Sequence, residues 1–226
     1  MRAFTCGHCG QLVFFENSLC LRCRSALGFV PSALALVDLP PPSPGAPPEL
    51  RPCANAGLAQ CNWMLEPGDP GSLCRSCRLT RTRPGDGDRD GMAAFAAAEA
   101  AKRRLVFQLL DLGLPAEAAG LTFDLLSSRS GPVVTGHNEG LITIDLAESD
   151  DARREQRRAD LGEPYRTMLG HFRHETGHFC WPMLVSGSGA GELARWRALF
   201  GDEREDYGAA LGRHYDAGPP DDWPRR

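Results

Sequence analysis

Apolar positions recur with different periods in different stretches of the chain. After Met92, the residues Phe95, Ala98, Lys102, Leu105, Val106, Leu109 and Leu112 return at helical spacing and Gly113 then supplies a stop, which predicts one amphipathic helix. Residues 121–126, 133–137 and 141–145 are short and rich in β-formers, with Asn-Glu-Gly (138–140) as a turn, so a small antiparallel sheet is expected there. Residues 150–161 are charged and helix-permissive. Pro164 suits a first helical turn, and residues 165 to about 180 should form a largely buried helix. Near the N-terminus an apolar stretch, 26–37, is interrupted by Gly28 and Pro31, a pattern of short strands between turns. Residues 40–48 read Pro-Pro-Pro-Ser-Pro-Gly-Ala-Pro-Pro, which favours extended structure and forms no core, and residues 83–91 break the chain again.

Length and composition narrow the setting. At 226 residues the chain can bury one sizeable core with a smaller module beside it. A net charge of −4 with Arg, Asp and Glu intermixed gives no large field of one sign, which argues against dominant attraction to nucleic acid or membrane. No apolar run reaches the roughly 18 residues of a membrane helix, and the N-terminus has no signal-peptide core, so the expected location is cytoplasmic. In a reducing compartment, nine cysteines point to thiolate metal ligands rather than disulfides.

Their spacing supports this. Cys6-x2-Cys9 and Cys20-x2-Cys23 place two thiolate pairs on two tight knuckles, the arrangement that tetrahedral zinc with four sulfur ligands requires. Such a site is closed, so it stabilises a small fold and offers a docking surface for a protein partner. Cys53, Cys61, Cys74 and Cys77 supply a second set of four, of which only the last two have knuckle spacing. Trp63 beside Cys61 either covers that metal or is an ordinary core tryptophan. The run Arg75, Arg78, Arg81 and Arg83 either touches an anionic partner or is a solvated basic loop. Cys180 reads as a buried small thiol.

In His174-Glu-Thr-Gly-His178 the histidines are four apart, so on a helix they share a face and can hold one metal ion together. Glu175 follows directly and can reach a water on that metal, and these residue types suit amide hydrolysis with Glu175 as general base. Phe172, Thr176, Phe179 and Met183 form the side expected to be buried. His171 is either a contact to ligand or substrate or a locally hydrogen-bonded histidine, and residues 141–145 could be a sheet edge that receives an extended substrate or a purely structural strand.

Several longer motifs converge on one family. Cys-Asn-Trp (61–63), Cys-Arg-Ser-Cys-Arg-Leu-Thr-Arg (74–81), Ala-Lys-Arg-Arg-Leu (101–105), Thr-Gly-His (135–137), Gly-Leu-Ile-Thr-Ile (140–144), Glu-Pro-Tyr-Arg-Thr (163–167), Leu-Gly-His-Phe-Arg-His-Glu-Thr-Gly-His (169–178) and Phe-Gly-Asp-Glu-Arg-Glu-Asp-Tyr (200–207) together resemble the bacterial zinc-binding metallopeptidases with an N-terminal zinc-ribbon domain. The resemblance implies His174 and His178 as zinc ligands, Glu175 as general base, and Cys6, Cys9, Cys20, Cys23, Cys53, Cys61, Cys74 and Cys77 as structural ligands, for one catalytic and two structural zinc ions. It further implies a zincin, gluzincin-like domain. Related members continue into a segment with a Trp-Glu-Asp-Trp-Ala-Glu type motif that looks like a third ligand, which would make this domain C-terminally truncated.

The resulting expectation is an α+β protein: a zinc ribbon at 1–39, a Pro-rich linker at 40–52, a second four-cysteine zinc-binding segment at 53–91, and a zincin-like domain at 92–226 with a short antiparallel sheet and an HExxH helix. The expected activity is zinc-dependent peptide hydrolysis on a peptide or protein substrate. The alternative is an inactive zinc-ribbon adaptor with a degenerate zincin domain. Asp202, Glu203, Glu205 and Asp206 read as capping or ion-pair residues that could otherwise complete the metal site, and Tyr207, His214 and Tyr215 as donors to a tetrahedral oxyanion.

Overall fold

The computed structural model describes residues 2–40, 50–117, 119–160 and 166–218. The Pro-rich run falls largely at 41–49, outside the described residues, as does Pro164. The chain divides into two units, Met1–Phe179 and Cys180–Arg226.

The first unit begins with three two-stranded antiparallel ribbons. Strands β1 (Phe4–Thr5) and β2 (Leu12–Val13) pair, as do β3 (Ala26–Val30) and β4 (Ala35–Leu39), and β5 (Arg51–Pro52) pairs with β6 (Met64–Leu65). Gly28 permits close approach here, because a Cβ on it would lie 2.6 Å from Met64 Cγ. The cysteine-bearing segments are not beads on a string. Asn62, itself buried, donates from Nδ2 to the carbonyls of Phe15 and Asn17 at 2.7 and 3.1 Å, and its own carbonyl accepts from the Phe29 amide at 2.7 Å. Trp63 is fully buried in an aromatic cluster with Phe15 and Phe29, whose ring centroids lie 6.3 and 4.7 Å from its own, so it serves as a core tryptophan.

The remaining sheet orders as β7-β8-β10-β9, built from β7 (Thr80–Thr82), β8 (Thr122–Leu126), β9 (Gly136–Asn138) and β10 (Leu141–Asp145). The expected antiparallel pairing holds only for β9 with β10; β8 runs parallel to both β7 and β10. The cause is the connection, since parallel neighbours need a long crossover and helix α1 (Arg89–Asp111) supplies one between β7 and β8. This helix starts three residues before Met92 because Asp88 caps it, its side chain accepting from the Gly91 amide at 2.9 Å. It stops where expected, with Gly113 at φ 69°.

Helix α1 buries Phe95, Ala98, Leu105, Val106 and Leu109, and with them a polar set. Lys102 and Glu99 are both fully buried and pair at 2.5 Å, the Glu99 carboxylate also accepting from Thr80 Oγ1 at 2.5 Å. Phe107 on the same helix meets Phe15, just after β2, and Phe29 of β3 at 5.3 and 5.7 Å, which joins the first two ribbons to α1. Helix α2 (Asp151–Asp160) precedes helix α3 (Met168–Trp181). The latter begins at Met168 rather than near residue 165, with the Thr167 hydroxyl accepting from the Gly170 amide at 3.0 Å as its N-terminal cap. It is not largely buried: Met168, Phe172, Thr176 and Cys180 form one buried stripe at i, i+4 spacing, while Arg173, His174, Gly177 and His178 are exposed. Phe172 meets Phe123 of β8 at 5.5 Å and anchors the helix to the sheet.

The second unit continues through a π-helical turn, Pro182–Ser186, into helices α4 (Ala190–Phe200) and α5 (Tyr207–Ala217). Trp196 meets Trp181 edge-on at 4.4 Å and Phe200 at a tilt at 5.3 Å. Met183, expected on the buried side of the helix, is exposed, because the α-helix has ended before it.

Candidate metal centres

Both knuckles of the first quartet are built by the same local device. Cys6 and Cys20 each begin a tight turn: the Cys6 carbonyl accepts from Gly10 and the Cys20 carbonyl from Arg24, both at 2.8 Å. Gly10 and Arg24, each just after the second cysteine of its pair, take left-handed φ values of 71° and 64°. The turns bring Cys6 Sγ within 3.6 Å of Cys23 Sγ and Cys9 Sγ within 3.6 Å of Cys20 Sγ. Zinc–sulfur bonds of about 2.3 Å at tetrahedral angles set sulfurs about 3.8 Å apart, so the spacing matches that donor set. The Ser25 hydroxyl, 3.3 Å from Cys23 Sγ, and its amide lower the Cys23 thiol to about 6, toward the thiolate a metal takes.

The second quartet, despite its irregular spacing, converges as well. Cys61 Sγ lies 3.7 Å from Cys74 Sγ and 3.8 Å from Cys77 Sγ, the Cys74 amide donates to Cys53 Sγ at 3.3 Å, and all four side chains are buried. Hydrogen bonding within the quartet, to Cys61 first, pushes Cys53 well down, toward the thiolate that a divalent cation would hold. Among the described residues, these two quartets are the groups of three or more ligand atoms that converge.

His174, Glu175 and His178 all lie on α3. One helical turn brings the two Nε2 atoms within 3.3 Å, with the rings nearly perpendicular, on an exposed face. Zinc–nitrogen bonds of about 2.0–2.1 Å at a tetrahedral angle set two nitrogens about 3.3–3.4 Å apart, so the pair already has the required bite. Glu175 between them is half-buried. Within the Met1–Phe179 unit, no third ligand atom from a described residue converges on this pair.

His171, on the same helix, has its Nδ1 3.9 Å from a buried oxygen of Glu148, whose carboxylate also accepts from Arg166 at 3.2 and 3.3 Å. That places it in a polar cluster with Glu148 and Arg166, one turn before His174 on the same face of α3. The strand proposed as a sheet edge, β10, is interior, flanked by β8 and β9; the edge nearest the histidines is β9. Its His137, to which the sequence assigned no role, lies parallel to the His178 ring with centroids 6.5 Å apart. Only the packing of β9 beside α3 reveals that neighbour.

The arginine run is consumed internally. Arg75 and Arg78 pair with Glu117 at 3.7 and 3.0 Å, Arg78 also with Asp69, Arg81 with the nearly buried Asp124, and Arg83 with Asp86 at 2.7 Å. In the second unit, Asp202 pairs with Arg204 at 2.5 Å, Glu203 with Arg197 at 2.5 Å and Glu205 with Arg213, while Asp206 Oδ1 accepts from Ala209 at 2.8 Å as the cap of α5. These are the capping and ion-pair roles read from the sequence, and hydrogen bonding to Arg204 holds Asp202 well below the usual carboxylate range. Tyr207 and Tyr215 are exposed. The His214 side chain lies outside the described ones. Cys180 is buried, and burial raises its thiol pKa.

Residues 91–226 match a family model described as "Putative zinc-binding metallo-peptidase", and residues 3–88 match one described as a zinc-ribbon domain. Uncharacterized proteins of Mycobacterium tuberculosis and Mycobacterium bovis are 49% identical to the chain over 229 residues, an alignment covering 99% of the chain and 65% of each relative. The chain thus spans a little under two thirds of the length of those relatives. No solved structure matches it.

Proposed function

The chain belongs to this zinc-binding metallopeptidase family, behind a zinc-ribbon domain, and from that premise we propose that it hydrolyses peptide bonds at a zinc ion held by His174 and His178, with Glu175 as general base. The observation that carries the proposal is the 3.3 Å separation of the two Nε2 atoms on an exposed helical face. When bound, zinc supplies Lewis acidity, polarising a carbonyl and acidifying water. The rest falls to the chain. His174 and His178 would hold the ion through their imidazole nitrogens, Phe172 fixes their helix against the sheet, and Glu175 would take the proton of the attacking water and return it to the amine as the C–N bond breaks. The zincin-like HExxH helix, two structural zinc ions in the cysteine quartets and a peptide or protein substrate are parts of the same proposal, as is cytoplasmic residence. No helix among the described residues is long and apolar enough to cross a membrane. Exposed Leu12 and Phe14 at the first ribbon and Leu21 in the second knuckle give a protein partner an apolar surface.

A second reading, a zinc-ribbon adaptor whose histidine pair does no catalysis, is favoured by one observation: the pair supplies two ligands from the first unit where catalytic zinc usually takes three from protein. Metal counting separates the two. Elemental analysis of the purified protein is expected to give about three zinc ions per chain, one of them removed first by mild chelation together with casein hydrolysis, on the ligand count of the three sites. His174→Ala is expected to give about two and no hydrolysis. A wild-type count that His174→Ala leaves unchanged would favour the adaptor.

A further inference from the structure

His137 occupies a position that the proposed machinery leaves unused. It lies at the centre of the edge strand β9, opposite Ile142 of β10, half-buried, with its ring parallel to that of His178 at 6.5 Å and edge-on to Phe179 at 6.3 Å. Its protonation pattern is set by the turn that follows. The Gly140 amide points at His137 Nε2 from 3.0 Å, and an amide can only donate, so Nε2 must present its lone pair. In the neutral ring the proton therefore resides on Nδ1. Gly140 is held there by its own constraints: it takes φ 87°, its carbonyl accepts from Thr122 at 2.9 Å, and a Cβ would press to 3.1 Å from the Gly120 carbonyl oxygen. The donor tautomer is thus fixed by the backbone rather than by a partner that titrates.

A third-ligand role does not fit. No nitrogen of His137 joins those of His174 and His178 in a converging set, and the lone pair available on this tautomer is already engaged by Gly140. What remains is a neutral N–H donor, beside the metal-holding ring, on the strand along which an extended substrate would run. We propose that His137 donates from Nδ1 to the substrate carbonyl oxygen as that oxygen gains charge under attack by water. No proton is transferred in this role. The hydrogen bond strengthens as the C=O double bond becomes a C–O single bond, and it relaxes when the C–N bond breaks and the carbonyl re-forms. Donors placed where charge develops contribute about 10²–10³-fold to turnover in comparable sites. The inference rests on the metallopeptidase reading above.

Two substitutions separate a donor from a turn-closing residue. The oxygen of Gln reaches the position of Nε2 and can still accept from Gly140, but His137→Gln has no donor at the Nδ1 position. His137→Asn places an amide N–H near Nδ1 and gives up the acceptor for Gly140. The probes are a phosphinic analogue of trialanine, whose charged tetrahedral phosphorus mimics a carbonyl under attack, and acetohydroxamate, a bidentate zinc chelator that needs no further donor. Calorimetric titration of the full, zinc-loaded chain is expected to show the phosphinate bound about 10–100-fold more weakly by His137→Gln, partly restored in His137→Asn, on the strength of a hydrogen bond to a charged group. Zinc content and acetohydroxamate affinity should be unchanged in both. Equal phosphinate affinity in wild type and His137→Gln would overturn the role of His137 alone. So would the reverse order, tight binding by Gln and weak by Asn, which is the mark of a turn-closing residue. Failure of the wild-type protein to bind acetohydroxamate would remove the metal reading itself, and the role of His137 with it.

Discussion

Glu175→Gln is expected to lower peptide hydrolysis by about 10²–10⁴-fold while the zinc content stays that of the wild type. Glu175 immediately follows the first histidine of the pair and is half-buried on the same helix, so it is held close to the proposed metal site without being one of the two nitrogen donors assigned to it. Glutamine has nearly the same shape and helix propensity and keeps the hydrogen-bonding oxygen, but it cannot accept the proton of an attacking water. Initial rates on fluorescein-labelled casein, read beside elemental analysis of the same samples, decide the matter. Undiminished cleavage would take Glu175 out of the mechanism. Loss of zinc in step with loss of rate would make it part of the metal's support instead.

The largest effect on stability is expected at Cys61. Cys61→Ser should unfold the whole Met1–Phe179 unit, not one knuckle. Cys61 and its three partners are buried in one continuous core with Trp63, Leu79, Phe95 and Ala98, and Cys77 Sγ lies 3.7 Å from the buried Glu99 of α1. A structural zinc site of this kind contributes about 10–16 kcal/mol of apparent binding energy, as much as the entire net stability of about 5–15 kcal/mol of an ordinary domain. The quartet of Cys6, Cys9, Cys20 and Cys23 should behave more mildly, since Cys9 and Cys23 are only half-buried. The measurement is zinc content with far-ultraviolet circular dichroism during heating. The variant should hold little or no zinc and show no cooperative transition, whereas a wild-type melting profile would mean that packing alone supports the core.

What the sequence revealed and what it hid divide along a physical line. Knuckle cysteines and the His-x3-His pair are legible because their geometry is local: a tight turn or one turn of helix fixes the spacing of the ligand atoms. Lys102 was legible too, as a member of the apolar stripe of α1, although its burial beside Glu99 was not, because periodicity says which face a residue occupies and not what lies opposite. The parallel pairing of β7 was hidden. Thr80–Thr82 is three residues long, carries no alternation, and finds its partner only across the full length of α1. His137 escaped for the same reason, since its neighbour His178 lies far along the chain and meets it only through the seating of α3 on the sheet.

That hidden strand bears on how the protein can be cut. β7 falls inside the segment matched as a zinc ribbon, 3–88, yet it is an outer strand of the sheet that supports α3, in the segment matched as the peptidase, 91–226. The unit that inheritance copies and the unit that folds therefore do not share a border. A fragment begun at Gly91 would carry the histidine pair intact but would leave β8, with its buried Phe123 and Leu125, as an unpaired edge with a free row of backbone donors and acceptors. Such edges template association with other chains. The ribbon segment therefore contributes, besides its cysteine quartets, the strand that covers this edge of the sheet beneath α3.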